Sequence, residues 1–165
     1  MTIAVASIVA MIAIPSFRFV TNSNRVAGEV NGLLGDLQFA RAEAIKEGWN
    51  VTVCTSALGA SCDGTATWQS GWIVYSNPTG TTIPTAGSIL RIQSPFTGTD
   101  TFQASQAVST VTFNREGYAP GTPAGTLMTL HTSPASANWT RCVSVNLNGM
   151  SFTSKVGTVN GVTCS

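Results

Sequence analysis

The feature that most constrains this chain is an almost wholly apolar run near its start. Residues 2–14 read TIAVASIVAMIAI, contain no charged residue, and are followed directly by Pro15. A helix that is apolar on all sides must be buried in lipid or in a packed assembly. The run is shorter than the ~20 residues that span a bilayer. It also has no Lys or Arg in front of it, so it lacks the basic region of a secretory signal.

A second helical pattern follows this run. Between Val26 and Ile45, apolar residues recur at steps of three and four, and most charged residues fall outside that stripe. We therefore predict one long helix from Thr2 to about Gly48. A kink is expected at Pro15, because proline removes a backbone donor from the helix.

Beyond Gly48 the apolar pattern changes to short strand-like runs separated by Gly, Pro, Ser and Asn. The Asn-Gly pair before Met150 predicts a hairpin between the last two runs. We expect residues 76–88 and 94–106 to be long loops. The predicted strands are Val51–Cys54, Trp72–Tyr75, Ile89–Ile92, Val108–Phe113, Thr126–Thr132, Arg141–Leu147 and Met150–Val156.

These patterns predict an α+β chain in which a long, kinked N-terminal helix packs on an antiparallel β-sheet. Residues 1–24 form the apolar helical segment, and residues 25–165 form one globular domain. Within that domain the amphipathic helix covers 25–48 and the sheet covers 51–165. The apolar segment has no partner in this chain that could cover every side, so membrane or other copies must bury it.

Composition narrows the class of protein further. The net charge is +1 and only 9% of residues are charged, which excludes a strongly basic nucleic-acid module. The four cysteines form no C-x-x-C pair, so a zinc ribbon or a thioredoxin-like site is not expected. Their even number allows two disulfides in three connectivities, which require an oxidising compartment.

No catalytic constellation is visible in the sequence. His131 is the only histidine and lies in a strand-like run, without a nucleophile and an orienting partner in the pattern. Asp63, Asp100 and Glu116 occur singly in predicted loops. We therefore expect no enzyme, no cofactor and no metal site. The pair Trp68 and Trp72 is expected to pack the sheet against the helix.

Three stretches carry a resemblance to a known family. They are VASIVAMIAIPSF (5–17), DLQFARAEAIKEGWNVTVC (36–54) and WQSGWIVYSN (68–77). The first is similar to the second half of the prepilin signature. The other two resemble the GspH/FimT class of type IV pilus minor pilins and pseudopilins, which also includes FimU-like proteins. The resemblance implies a type IV pilin-like fold.

The same resemblance implies that residues 1–24 are a truncated transmembrane and filament-core helix. By the family spacing, the leader and the first mature residues, including an early Glu, would precede Met1. About seven more apolar residues would bring the segment to the ~20 that span a bilayer. The implied location is the bacterial inner membrane, single-pass with the domain in the periplasm. After assembly, it is the pilus at the cell surface.

The resemblance leaves three functions open. The leading one is a minor pilin that helps to prime or cap a type IV pilus through helix-bundle and lateral contacts with other minor and major pilins. The second is a pilus-associated DNA receptor for natural transformation. The third is a minor pseudopilin of type II secretion.

DNA binding is expected to be weak. The DNA-capturing branch of the family carries a G-R-x-R-like segment on its terminal hairpin, where this chain has NGMSFTSK. Met150 and Phe152 stand where arginines would be expected. Only Arg141 and Lys155 lie near, and each lost cation lowers affinity for phosphates.

Two local disulfides are predicted, Cys54–Cys62 and Cys142–Cys164, because the short separation of each pair makes it easy to close. The first would pin the turn from helix to sheet. The second would tie the chain end to a strand.

Overall fold

We describe a computed structural model of the chain, which defines residues 2–81, 83–85, 87–159 and 162–164. Side chains are described within those ranges from Phe19 onward, apart from residues 159 and 162. All statements on side chains below concern this part of the chain.

One helix, α1 (Thr2–Glu47), contains 46 residues. Gly48 follows the last helical residue and stops the helix. Its φ of 78° is one that only glycine adopts readily, and its N–H donates to the carbonyl of Ala44 at 3.0 Å. The predicted helix bounds are confirmed. Residue 15 lies outside the described side chains, so the kink at Pro15 stays a prediction.

The rear half of α1 buries one stripe of side chains. Each of these is at most 3% exposed: Val26, Val30, Leu33, Leu37, Ala40 and Ala44. The stripe is the one that the three- and four-residue spacing predicts, because these positions share one face of a helix. Two apolar positions of the predicted stripe differ: Leu34 is only partly buried against the core, and Ile45 is 51% exposed.

Ten strands follow among the described residues. They are β1 (Val51–Thr55), β2 (Trp72–Ser76), β3 (Ile89–Gln93), β4 (Thr101–Ala104), β5 (Thr110–Phe113), β6 (Thr126–His131), β7 (Arg141–Val145), β8 (Ser151–Lys155), β9 (Gly157–Val159) and β10 (Val162–Cys164).

The strands form two four-stranded antiparallel sheets and one two-stranded ribbon. The first sheet has the order β3-β2-β1-β5, the second β4-β6-β7-β8, and β9 pairs with β10. The predicted β7–β8 hairpin is confirmed, with Gly149 at φ 75° in its turn. The single sheet expected from the sequence is instead divided in two, and both sheets contribute side chains to one core against α1.

Two parts of the strand prediction are wrong. The segment 94–106, predicted as a loop, contains β4, which pairs with β6 along its whole length. This strand was missed because its sequence, TFQA, buries only Phe102 fully and shows no run of apolar residues. The ribbon β9–β10 was missed because its strands have three residues each.

The two tryptophans pack as predicted. Trp68 and Trp72 are almost fully buried in the core. The Trp72 indole donates to Asp36 Oδ2 on α1 at 2.9 Å, and the Trp68 indole donates to the Val108 carbonyl at 3.0 Å. Each buried N–H thus has an acceptor, and Trp72 links the first sheet directly to the helix.

Within the part of the chain that the structure describes, no helix is both long and apolar enough to cross a membrane.

Candidate interaction surfaces

Two disulfides brace the sheets. Cys54 on β1 is bonded to Cys62 in the loop that follows, and Cys142 on β7 is bonded to Cys164 on β10. These are the two pairings predicted from sequence separation. Each bond ties a chain segment outside a four-stranded sheet to one of its inner strands, so both sheets present fixed surfaces.

The β7–β8 hairpin brings the two predicted DNA-binding residues together. Arg141 on β7 lies directly opposite Lys155 on β8. Residues opposite one another in an antiparallel pair share a face, and like charges there repel. The Arg141 guanidinium donates to the carbonyls of Asn138 at 2.9 Å and Thr140 at 2.8 Å, which holds it at the end of the hairpin. No described carboxylate pairs with this guanidinium, so Arg141 and Lys155 together can accept one anionic group.

The opposite end of the hairpin exposes the apolar side chain of Met150 next to Arg41. Met150 is 56% exposed beside the turn and, with Arg41, Ala42, Ile45 and Gly149, lines a shallow pocket of about 310 Å³ against the end of α1. Arg41 is held there by the carbonyl of Gly117, to which its Nε donates at 2.9 Å. Positions 151 and 155 are roughly 13 Å apart along β8. The basic pair Arg141 and Lys155 and the pocket beside Met150 are therefore separate surfaces.

An ionic cluster joins the front of the domain to α1. Arg25 Nη2 contacts both carboxylate oxygens of Asp100, at 3.0 and 2.9 Å, and the Asp100 side chain is only 1% exposed. The Ser133 N–H also donates to Asp100 Oδ1 at 3.1 Å. The sequence placed Asp100 alone in a loop. It missed the cluster because Arg25 and Asp100 are 75 residues apart.

Glu29 lies one helical turn after Arg25. Its Oε2 is buried and has no hydrogen-bond partner among the described residues. The pKa of Glu29 is raised to about 7: burial is the largest cause, the negative charge of Asp100 adds to it, and the positive charge of Arg25 partly offsets both. Near neutral pH this carboxyl is therefore held between its two protonation states.

The last described contact between the domain and the front of α1 is aromatic. The rings of Phe19 and Trp139 lie 5.8 Å apart and are tilted by 52°. Trp139 belongs to the segment just before β7. His131, expected to be an ordinary strand residue, lies at the end of β6 with its Nδ1 3.3 Å from the hydroxyl of Thr140.

A single long helix whose rear half is covered on one face by antiparallel sheets is the architecture of the pilin class. The chain belongs to the GspH family, because residues 29–149 match the family model described as "Type II transport protein GspH".

Solved structures give the same assignment of fold. The chain is similar to the type IV minor pilin FimU of Pseudomonas aeruginosa in two crystal forms. The first has a TM-score of 0.63 at 21% identity, over 81% of this chain and 90% of FimU. The second has a TM-score of 0.60 at 20% identity, over 78% and 91%. No curated protein sequence matches the chain. At this level of identity the likeness establishes the fold.

Proposed function

We propose that the chain is a minor pilin that helps to prime or cap a type IV pilus through helix-bundle and lateral subunit contacts. The observation that carries this proposal is the length of α1 before its first described core residue. The helix begins at Thr2, whereas the first buried core residue described is Val26. The helix before that residue is roughly 36 Å long at 1.5 Å per residue. The apolar run 2–14 within it requires a partner outside the domain.

In this proposal residues 1–24 pass from the inner membrane into the helical bundle of the filament. Residues 25–165 stay in the periplasm until assembly and then reach the cell surface with the pilus. Both disulfides agree with an oxidising compartment. The partners are other minor and major pilins, and the chain works by assembly, without enzymatic chemistry or a cofactor.

A test is to delete the gene in its host and to count surface pili by electron microscopy. The proposal expects few or no pili, and restored pili when the gene is returned. Normal pili together with lost type II secretion would contradict it and favour the pseudopilin function, which the description of the family model supports. Normal pili together with lost DNA uptake would favour a receptor.

The DNA-receptor function rests on one observation, the juxtaposition of Arg141 and Lys155. Two cations neutralise few phosphates, so we expect weak binding, little sequence preference and a shallow salt dependence. Fluorescence anisotropy of the full chain in detergent with a labelled duplex measures this. Lys155→Ala should reduce the salt slope by about 1. Low-micromolar binding at moderate salt that is lost in this variant would make the DNA receptor the preferred function.

A further inference from the structure

A groove lies beside the start of the rear half of α1, between the helix, Trp72 on β2 and the loop 93–97. Its volume is about 380 Å³, at the lower end of the range for ligand pockets. One wall is the helix surface at Gly28, Glu29 and Gly32, and the other is Trp72 with the loop 93–97. This size suits a side chain with a short piece of its backbone better than a large cofactor.

The two glycines leave the helix backbone bare along this wall. A Cβ added at Gly28 would meet nothing within 4 Å, and one at Gly32 would meet only the Trp72 ring, at 4.0 Å. Glycine inside a helix costs about 1 kcal/mol relative to alanine. Among the described residues only the edge of the Trp72 ring comes near the space that these glycines open, so another chain can approach the helix closely there.

The opposite wall is aromatic and fixed in place. The ring of Phe96 packs edge-on to Trp72 at 6.1 Å and stacks on Phe102 at 6.1 Å. Trp72 is held in turn by its hydrogen bond to Asp36. Because Trp72 is only 1% exposed, the partly exposed ring of Phe96 is the surface on which an aliphatic stem can lie.

The groove has one charged group on its lining, Glu29, and that group lacks a counter-ion. Arg25, the nearest cation on the same helix, is bound to both oxygens of Asp100. The loop 93–97 and Trp72 contribute no charge. The charged groups that face Glu29 are therefore Arg25 and Asp100, which neutralise each other and leave the Glu29 carboxylate in excess.

We propose that this groove receives a lysine or arginine side chain of another pilin subunit, with Glu29 as its counter-ion. The inference rests on the proposed function. It names the chemistry of one lateral contact: a basic side chain whose stem lies against Phe96 while its backbone passes over Gly28 and Gly32.

A second copy of this chain fits the groove less well than a different pilin. Of the described basic side chains, four are already in ion pairs within the chain: Arg25, Lys46, Arg91 and Arg115. The other three are Arg41 and Arg141, which donate to backbone carbonyls, and Lys155. A copy of the chain thus offers one described basic side chain without such a contact, Lys155, whereas the Glu29 carboxylate needs a cation that is free to enter the groove.

Binding of a cation should depend on pH in a defined direction. The pKa of Glu29 in the free chain is about 7, so below that pH the carboxyl is protonated and has no charge to offer. A cation prefers the ionised form. Association should therefore release a proton and weaken as the pH falls from 8 to 6.

The test is to purify the tagged full chain in mild detergent from membranes of its host and to quantify the pilins that accompany it at pH 8 and pH 6. The wild-type chain should retain at least one other pilin about tenfold better at pH 8. Glu29→Gln should lose that pilin about tenfold at pH 8 and show no difference between the two pH values. Glu116→Gln is the matched control. It removes an exposed carboxylate in the turn after β5, away from the groove, and should behave as wild type.

A charge exchange completes the test. Glu29→Lys should abolish the association, and replacing one basic residue of the recovered pilin with Glu should restore it. Unchanged recovery with Glu29→Gln at both pH values would overturn the inference. So would failure of every such replacement to restore binding, or recovery of a second copy of the chain instead of another pilin. If Glu29→Gln leaves recovery unchanged while gene deletion removes pili, the groove inference fails and the proposed function stands.

Discussion

The two faces of α1 differ in what they contribute to the free energy of folding. The covered face, from Val26 to Ala44, places six side chains in the core at no more than 3% exposure. The open face has bare backbone at Gly28 and a buried carboxylate oxygen at Glu29 that no described residue satisfies. Burial in the core accounts for the apolar residues of the covered face. The second carries costs that the isolated domain does not offset, which is the pattern expected of a surface completed by a partner.

The largest expected effect is on the covered face. Leu37→Ala should lower the free energy of unfolding by about 2–5 kcal/mol, because the fully buried side chain leaves a cavity between the helix and the sheets. Ile45→Ala, at a half-exposed position of the same helix, should cost less than about 1 kcal/mol. Urea unfolding of the full chain in detergent measures both. Equal losses would show that burial of a position on α1 does not set its contribution to folding.

The disulfides should contribute through the sheets that cover the helix. Replacing Cys142 and Cys164 with Ala should cost about 3 kcal/mol. Replacing Cys54 and Cys62 should cost about 1 kcal/mol less, since the loop-entropy term grows with the length of the closed loop. The separations are 22 and 8 residues. The reverse order in unfolding experiments would mean that loop entropy does not govern these bonds.

On the open face, the substitution Glu29→Gln should raise the free energy of unfolding near neutral pH instead of lowering it. The pKa of Glu29 is raised to about 7 from 4.5, so the folded chain binds this proton more tightly than the unfolded chain does. The resulting contribution to stability is full below pH 4.5, falls as the pH rises through 7, and is absent above that. Glu29→Gln should remove this dependence.

At pH 8, Glu29→Gln should stabilise the chain by roughly 1–2 kcal/mol after allowance for solvent screening, since the group is only partly buried. Urea unfolding curves of the wild-type chain and of Glu29→Gln at pH 5 and pH 8 measure this difference. A variant that is less stable than wild type at pH 8 would show that Glu29 already has a partner within the chain.

The smallest expected effect separates stability from association. Gly28→Ala and Gly35→Ala should each stabilise the helix by about 0.5–1 kcal/mol, because a Cβ at either position meets nothing within 4 Å. Of these two glycines, Gly28 lines the groove and Gly35 does not. Gly28→Ala should therefore reduce recovery of the partner pilin, and Gly35→Ala should leave it unchanged. Equal recovery with both variants would place the contact elsewhere.

The covered face could be predicted from the sequence and the open face could not. The stripe from Val26 to Ala44 repeats the helical period over five turns, a local signal that tertiary contacts reinforce. The β7–β8 hairpin is marked by its Asn-Gly turn. Both disulfides follow from short separations. Each of these features depends on residues that are close in sequence.

The ionic cluster and the groove depend on residues that are far apart in sequence. The only local sign was the Arg25–Glu29 spacing, which reads as an ordinary ion pair on a helix surface. In the structure Asp100 binds Arg25 from 75 residues away and leaves Glu29 unpaired. The position of β4, which sets where Asp100 lies, was itself missed. The open face could therefore be recognised only once the chain was folded.

The most direct test of two faces with separate roles is hydrogen exchange on the full chain, first alone in detergent and then assembled with the other pilins of its host. Amides of α1 along the covered face should exchange slowly in both states. The loop 93–97, which forms the outer wall of the groove, should exchange at least tenfold more slowly after assembly. Unchanged exchange in this loop on assembly would contradict the account, because the open face would then remain uncovered in the filament.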